Sequence, residues 1–179
     1  MIIIEGTDGA GKSHLIQRLK LHFNAPIANR SMSADQEPLV DMKAWIQQCV
    51  ALGFRRVLFD RFALISGPLY APILKDEYQL GIYQDLEWMV EQYYLFNNKV
   101  RPIIVYCIPP LETVKVNIDN DENNRSVALY TEQLYVAYTN RAAQDCNFMS
   151  ATIFDYTNPQ HFEKIIEFIG YQLTLRGKR

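Results

Sequence analysis

The sequence has few cysteines and histidines and no long apolar run. Its three cysteines, Cys49, Cys107 and Cys146, are odd in number and widely spaced, which argues against a disulfide framework or a zinc site. We expect them to be core thiols in a reducing compartment, the cytoplasm. The three histidines have no partner at metal-ligand spacing. No apolar run approaches the ~20 residues that a membrane span needs, so we predict no membrane association.

The sequence also lacks an excess of positive charge. Its 18 Lys and Arg residues stand against 20 Asp and Glu residues, for a formal net charge of −2. Such a balance gives no general field that attracts nucleic acid polymers, so any binding of phosphate has to be local. With 179 residues, of which 49% are hydrophobic, the chain is predicted to form a single domain over residues 1–179.

The first motif that carries chemistry is a glycine-rich segment directly after an apolar run at the start of the sequence. It reads Gly6-Thr7-Asp8-Gly9-Ala10-Gly11-Lys12-Ser13. Glycine permits the backbone path by which several N–H groups converge on one phosphate. In a P-loop of this kind the Lys12 side chain reaches the β- and γ-phosphates, and the Ser13 hydroxyl ligates the Mg²⁺ that bridges them. The eight residues are therefore predicted to bind Mg²⁺-ATP.

Short apolar runs alternate with segments of helical periodicity, which predicts an α/β fold whose parallel sheet has helices on both faces. The five predicted strands are Ile2–Glu5, Pro26–Asn29, Val57–Asp60, Pro102–Ile108 and Ala151–Asp155. The apolar faces of the predicted helices are Leu15, Ile16, Leu19 and Phe23; Leu86, Met89, Val90, Tyr93 and Tyr94; Leu134, Ala137, Tyr138 and Ala142; and Phe162, Ile165, Ile166, Ile169 and Leu173. Ligands of such sheets bind beyond the carboxyl ends of the strands.

A second motif follows the third predicted strand, where an apolar run ends in Asp60-Arg61-Phe62. A P-loop protein places a carboxylate near the bound Mg²⁺ in this way, so Asp60 is a second candidate metal ligand. The alternative is an acid that caps the end of a strand. The Arg61 guanidinium could hold an acceptor phosphate through two hydrogen bonds, which lysine does poorly.

These two motifs, together with Ser66-Gly67 and Tyr70, resemble the thymidylate kinase group of nucleoside monophosphate kinases. The resemblance implies a three-layer P-loop kinase fold with strand order 2-3-1-4-5, a short lid at about residues 117–132, and a homodimer. It also implies the reaction, which is transfer of the γ-phosphoryl group of Mg²⁺-ATP to a deoxynucleoside monophosphate. The implied acceptor is dTMP, with other deoxynucleoside monophosphates as alternatives.

The resemblance assigns roles around the acceptor. Asp8 would face its 3′-hydroxyl, while Arg61 and Phe62 would contact the acceptor beside the metal site. Tyr70 would lie against the sugar where a 2′-hydroxyl would project, and so favour deoxyribose; a plain core tyrosine is the alternative. Arg30, after the second strand, would be a further arginine on the acceptor.

The lid contains one arginine, Arg125, which is the candidate to neutralise the transferring phosphoryl group. Its alternative is a surface arginine in a polar loop. The phenylalanine and arginine that usually contact the base in this family are not recognisable here, so the base stays open.

Two other functions compete with the monophosphate kinase. A deoxynucleoside kinase uses the same sheet but phosphorylates a 5′-hydroxyl, which benefits from a carboxylate base near the second strand. Here that strand is followed by Arg30, although Asp35 or Glu37 could fold back into the site. The remaining alternative is a P-loop ATPase or a binding module without kinase activity.

Overall fold

The computed structural model describes residues 1–28, 57–74, 86–120 and 128–177. The strands are β1 (Ile2–Glu5), β2 (Ile27–Ala28), β3 (Leu58–Asp60), β4 (Ile103–Cys107) and β5 (Ala151–Phe154). The helices in these segments are α1 (Lys12–Phe23), α2 (Ala63–Tyr70), α3 (Leu86–Val100), α4 (Leu111–Asp119), α5 (Thr131–Phe148) and α6 (His161–Gly177). Within the described segments, no helix combines the length and the apolar character that crossing a membrane requires.

The strands form one sheet in the order β2-β3-β1-β4-β5, and every neighbouring pair is parallel. Strand β1 lies at the centre, where Ile2 is opposite Leu58 on one side and Ile103 on the other. All four residues of β1 are buried, as expected for a strand covered on both faces. The carboxyl ends of β1, β3 and β4 therefore meet at one edge of the sheet.

The two faces of the sheet pack against different helices, which confirms a parallel sheet flanked by helices. Alternate side chains of β1 point to opposite faces, so Ile2 and Ile4 belong to one core and Ile3 to the other. Helices α1 and α6 cover the first face, and α2, α3 and α5 cover the second. The structure is thus a three-layer sandwich around the central strand.

The predicted face of α3 is only partly right. Met89 and Tyr93 are buried, but Val90 is 44% exposed and Tyr94 is 60% exposed. Both pairs have the spacing of four that places residues on one helical face, so periodicity could not choose between them. Phe96 is also buried and lies on the same side of the helix as Met89 and Tyr93, so tertiary packing turns this side toward the core.

The expectation of core cysteines holds for Cys107 in β4 and is wrong for Cys146, which is exposed on α5. Helix α5 turns Ala142 and Asp145 toward the core, and the next residue consequently faces outward. Cys49 lies outside the described residues.

A buried carboxylate ties three elements of the second core together. Asp145 of α5 accepts hydrogen bonds from the hydroxyls of Tyr93 in α3, at 2.7 Å, and of Tyr106 in β4, at 2.5 Å. Arg141 Nε lies 3.1 Å from the same carboxylate, and its guanidinium lies 4.1 Å from the centre of the Tyr93 ring. A buried carboxylate is tolerated when its oxygens are bonded in this way.

We predict that Asp145→Ala lowers the free energy of unfolding by about 3–5 kcal/mol, because it leaves two buried hydroxyls and the Arg141 charge without their acceptor. Urea denaturation measures the change. Glu167→Ala on the exposed side of α6 is the control and should stay within about 0.5 kcal/mol of the wild type. Equal stabilities of the two variants would contradict this account of the core.

Candidate active site

The glycine-rich segment forms a tight loop between β1 and α1. Gly6 has φ 144° and Gly11, directly before α1, has φ 79°, both of which are unfavourable for other residues. A Cβ atom on Gly6 would lie 2.6 Å from the carbonyl oxygen of Cys107, and one on Gly11 would lie 2.7 Å from the Tyr156 ring. Alanine is therefore excluded at both positions by backbone conformation and by space.

The Lys12 side chain is buried against this loop. Its Nζ donates a hydrogen bond to the carbonyl oxygen of Thr7 at 2.6 Å. Burial, assisted by the nearby positive charge of Arg61, lowers the pKa of Lys12 to about 8, while Asp8 and Asp60 partly offset the effect. A charged lysine is thus held in a place where an added anion would stabilise it.

Two side chains brace the outside of the loop. Asn117 of α4 donates a hydrogen bond to the carbonyl oxygen of Gly9 at 2.7 Å and another to the Tyr156 hydroxyl at 2.6 Å. Tyr156 follows β5, and its ring packs against Gly11. The loop is therefore fixed from α4 and from the carboxyl end of β5.

Three side chains to which the resemblance assigns contacts with the acceptor meet beside the loop. Arg61 Nη2 lies 2.6 Å from Asp8 Oδ1 and 2.7 Å from the Tyr70 hydroxyl. The Tyr70 hydroxyl also donates to Asp8 Oδ2 at 3.0 Å. The structure thus brings Asp8, Arg61 and Tyr70 into one hydrogen-bonded group, which we call the acceptor triad after the predicted roles of its members.

The charges of this triad are mutually stabilised. Burial alone would raise the pKa of Asp8, but Arg61 and then Lys12 outweigh it and lower the pKa. Burial alone would lower the pKa of Arg61, but Tyr70 and Asp8 outweigh it and hold the pKa well above its usual value. Both side chains are therefore charged at neutral pH.

Arg61 also has an unusual backbone. Its φ is 65°, in the left-handed region that a non-glycine residue rarely adopts. Its N–H donates to the carbonyl oxygen of Ile4 at 2.9 Å, which continues the pairing with β1 one residue beyond β3. Backbone strain of this kind is held in place by surrounding contacts and is concentrated at functional sites.

A fully buried carboxylate, Glu5, lies beneath the triad. Its Oε1 accepts the backbone N–H of Phe62 at 2.6 Å, and its Oε2 accepts the Tyr138 hydroxyl at 3.1 Å. Burial raises the pKa of Glu5 to about 7, although these two hydrogen bonds and the charges of Arg61 and Lys12 oppose the rise. Glu5 is thus a titratable group at the base of the site.

Three other predicted residues, Asp60, Ser13 and Phe62, lie within the described residues. Asp60 ends β3 and Ser13 is exposed at the start of α1, both at the predicted edge of the sheet. The ring of Phe62 is buried in the core and stacks on Phe96 at 4.6 Å, so its backbone and not its ring belongs to the site. The predicted contact of Phe62 with the acceptor stays a prediction.

Two predicted residues, Arg30 and Arg125, lie outside the described residues. Residues 121–127 of the predicted lid at 117–132 also lie outside the described residues, so the lid stays a prediction. Asn117 belongs to helix α4, and the last two residues of the predicted lid belong to α5.

Sequence reasoning missed four residues that surround the site without an assigned role in binding: Glu5, Asn117, Tyr138 and Tyr156. Glu5 carried a usable signal, because an acid that ends an apolar run on a central strand is buried and needs hydrogen-bond partners. Tyr156 also carried one, since it follows a parallel strand directly at the edge where ligands bind. Asn117 and Tyr138 carried none, because their partners are distant in sequence.

Comparison with known proteins rests on structure. No protein-family model matches the sequence, and no curated protein matches it. The fold is similar to that of the YorR protein of Bacillus subtilis, solved in complex with phosphorylated GDP, with TM-score 0.66 and 17% identity over 99% of this chain and 98% of that one. It is also similar to deoxyadenosine kinase from M. mycoides, with TM-score 0.64 and 18% identity over 95% and 98% of the two chains.

This chain shares its fold with these solved structures. At these identities the likeness establishes the fold alone, and it extends along almost the whole length of both neighbours. A form of the M. mycoides enzyme with bound dATP gives a TM-score of 0.63 at 18% identity, over 94% of this chain and 98% of that one. The likeness does not single out the thymidylate kinases.

The buried Glu5 generates a prediction on pH dependence. The folded chain keeps the Glu5 proton up to about pH 7, whereas the unfolded chain releases it near the ordinary value of 4.5. Between these values the folded state binds more protons, so this group's contribution to stability falls as the pH rises. We expect the wild type to lose roughly 1–3 kcal/mol relative to Glu5→Gln between pH 4.5 and pH 8.

Urea denaturation across this pH range measures the difference. The exposed exchange Glu163→Gln in α6 is the control and should leave the pH dependence of the wild type unchanged. Parallel curves for the wild type and Glu5→Gln would contradict the placement of Glu5.

Proposed function

We propose that this protein transfers the γ-phosphoryl group of ATP to a deoxynucleoside monophosphate, with dTMP as the first candidate. The observation that carries the proposal is the acceptor triad. It joins Asp8 of the P-loop to Arg61 after β3 at 2.6 Å, so a cation suited to an acceptor phosphate lies directly beside the loop that holds the donor. Phosphoryl transfer depends mainly on such positioning and on charge neutralisation.

The donor half of the proposal rests on the P-loop. Its backbone N–H groups and Lys12 would bind the phosphates of ATP. The Ser13 hydroxyl and the Asp60 carboxylate are oxygen ligands of the kind that Mg²⁺ prefers, and they suit an ion that takes its other ligands from phosphate and water. Bound Mg²⁺ would offset negative charge on the β- and γ-phosphates.

The choice of acceptor rests on the carboxylates of the site. A 5′-hydroxyl needs a general base, whereas a phosphate monoester is already an anion and needs none. Among the described residues at this edge, Glu5 is fully enclosed and Asp8 is paired with Arg61, while Asp60 is the candidate metal ligand. These three carboxylates therefore favour a phosphate as the nucleophile.

Arg61 would hold that phosphate, with Arg30 as a second cation, and Arg125 would act when the lid closes. Asp8 would accept a hydrogen bond from the 3′-hydroxyl of the sugar. The Tyr70 hydroxyl is fixed by Arg61 and Asp8, which supports a rigid wall against a 2′-hydroxyl and hence a preference for deoxyribose.

The second candidate is a deoxynucleoside kinase. It is favoured by the structural likeness to the M. mycoides deoxyadenosine kinase. In that case a carboxylate from the segment after β2, such as Asp35 or Glu37, would serve as the base for a 5′-hydroxyl.

An assay of ADP release from Mg²⁺-ATP tests the proposal. We predict strong stimulation by deoxynucleoside monophosphates and much weaker stimulation by ribonucleotides and free nucleosides. Stimulation by nucleosides alone would establish the second candidate. No stimulation by any acceptor would contradict both kinases.

Two substitutions test the assigned residues. Lys12→Ala removes the cation of the donor site and Arg61→Ala that of the acceptor site, so each should lower kcat/KM by about 10²–10⁴-fold with the fold intact. Lys164→Ala on the exposed side of α6 is the control and should leave turnover unchanged. Near-normal rates in either site variant would refute its role.

A further inference from the structure

Glu5 and Ile4 together hold both peptide N–H groups that flank the strained residue of the site. The Arg61 N–H donates to the carbonyl oxygen of Ile4 at 2.9 Å, as a continuation of the sheet. The Phe62 N–H donates to the side chain of Glu5 at 2.6 Å. Because the N–H of Phe62 belongs to the peptide plane that follows Arg61, this second bond restrains the ψ angle of Arg61.

We propose that Glu5 is a positioning residue for the acceptor site, which holds Arg61 in its left-handed conformation through the Phe62 N–H. This inference rests on the proposed function, since the task of Arg61 there is to hold the acceptor phosphate. Glu5 itself is 0% exposed, so its side chain offers no surface to a substrate. Its effect passes through the backbone to the guanidinium.

The strained backbone of Arg61 needs such a restraint from its surroundings. A non-glycine residue in the left-handed region is strained, and it persists only where surrounding contacts determine it. Without the Glu5 acceptor, the peptide after Arg61 could rotate toward an ordinary conformation. The guanidinium would then leave Asp8 and Tyr70, to which it is now bonded at 2.6 and 2.7 Å.

Glu5 has further contacts that connect it to the triad. Its second oxygen accepts the hydroxyl of Tyr138 in α5, and the Tyr138 ring packs edge-on against Tyr70 at 6.1 Å. Lys12 and Arg61 are the positive charges that act on Glu5, and Cys107 of β4 is a further titratable neighbour. Tyr138 offers a control, because it bonds Glu5 without touching the Phe62 N–H.

The test compares three variants with the wild type in calorimetric binding of dTMP and in the KM for ATP. Glu5→Ala removes the acceptor of the Phe62 N–H and should weaken dTMP binding about tenfold or more, with the KM for ATP changed less than about threefold. Glu5→Gln keeps an oxygen that can accept this bond and should restore dTMP binding to within about threefold. Tyr138→Phe should also stay within about threefold of the wild type.

A double-mutant cycle with Arg61→Ala separates positioning from general destabilisation. If Glu5 acts through Arg61, adding Glu5→Ala to Arg61→Ala weakens dTMP binding no further. Additive losses would overturn the inference, and so would equal losses in Glu5→Ala and Tyr138→Phe.

Amide hydrogen exchange provides a readout that is independent of nucleotide binding. The Phe62 amide should be protected in the wild type and in Tyr138→Phe, and should exchange at least about tenfold faster in Glu5→Ala. Unchanged protection would contradict the inference. A wild type that binds no monophosphate would instead refute the proposed function, and the exchange result would then decide the role of Glu5 by itself.

Discussion

The contact between Asp8 and Arg61 is the interaction on which the arrangement of the site depends. Asp8 belongs to the loop after β1 and Arg61 to the turn after β3, so the 2.6 Å ion pair joins two neighbouring strands at their carboxyl ends. The two side chains are 18% and 20% exposed, so the pair is partly shielded from water, which strengthens an ion pair and makes a lone charge less tolerable. Each residue consequently fixes the other, and Tyr70 fixes both through its hydroxyl.

Around this pair, the site holds two buried cations, Lys12 and Arg61, next to the carboxylates of Asp8 and Asp60. Lys12 and Arg61 repel each other, and burial lowers the pKa of Lys12 to about 8. Asp8 and Asp60 offset only part of the effect. An anion bound beside Lys12 would raise the pKa of Lys12 again and stabilise its charge, which is what the proposed binding of phosphate requires.

Much of the fold could be predicted because its determinants are local. The run Ile2–Glu5 is apolar and is followed by glycine, and it forms β1 with those bounds. The parallel sheet flanked by helices followed from the alternation of apolar runs and helical periods. The burial of Met89 and Tyr93 in place of Val90 and Tyr94 could not be predicted in the same way, since the two pairs have the same spacing and tertiary packing decides between them.

The candidate site shows the same difference between features with local determinants and features that depend on distant residues. The P-loop could be found because its residues are consecutive, and Arg61 because it follows a strand directly. The hydrogen bond from Asn117 to Gly9 joins residues 108 positions apart, and the bond from Tyr138 to Glu5 joins residues 133 apart. No local pattern encodes such contacts. The left-handed conformation of Arg61 could not be predicted either, because it follows from contacts with β1 and not from the residue type.

The measurement that tests the central claim most directly is the preference for dTMP over thymidine, taken as the ratio of their kcat/KM values, in the wild type and in Arg61→Ala. If Arg61 binds the acceptor phosphate, the wild type prefers dTMP strongly and the variant loses most of that preference, because thymidine has no phosphate to lose contact with. A preference for thymidine in the wild type, or an equal loss for both acceptors in the variant, would contradict the account.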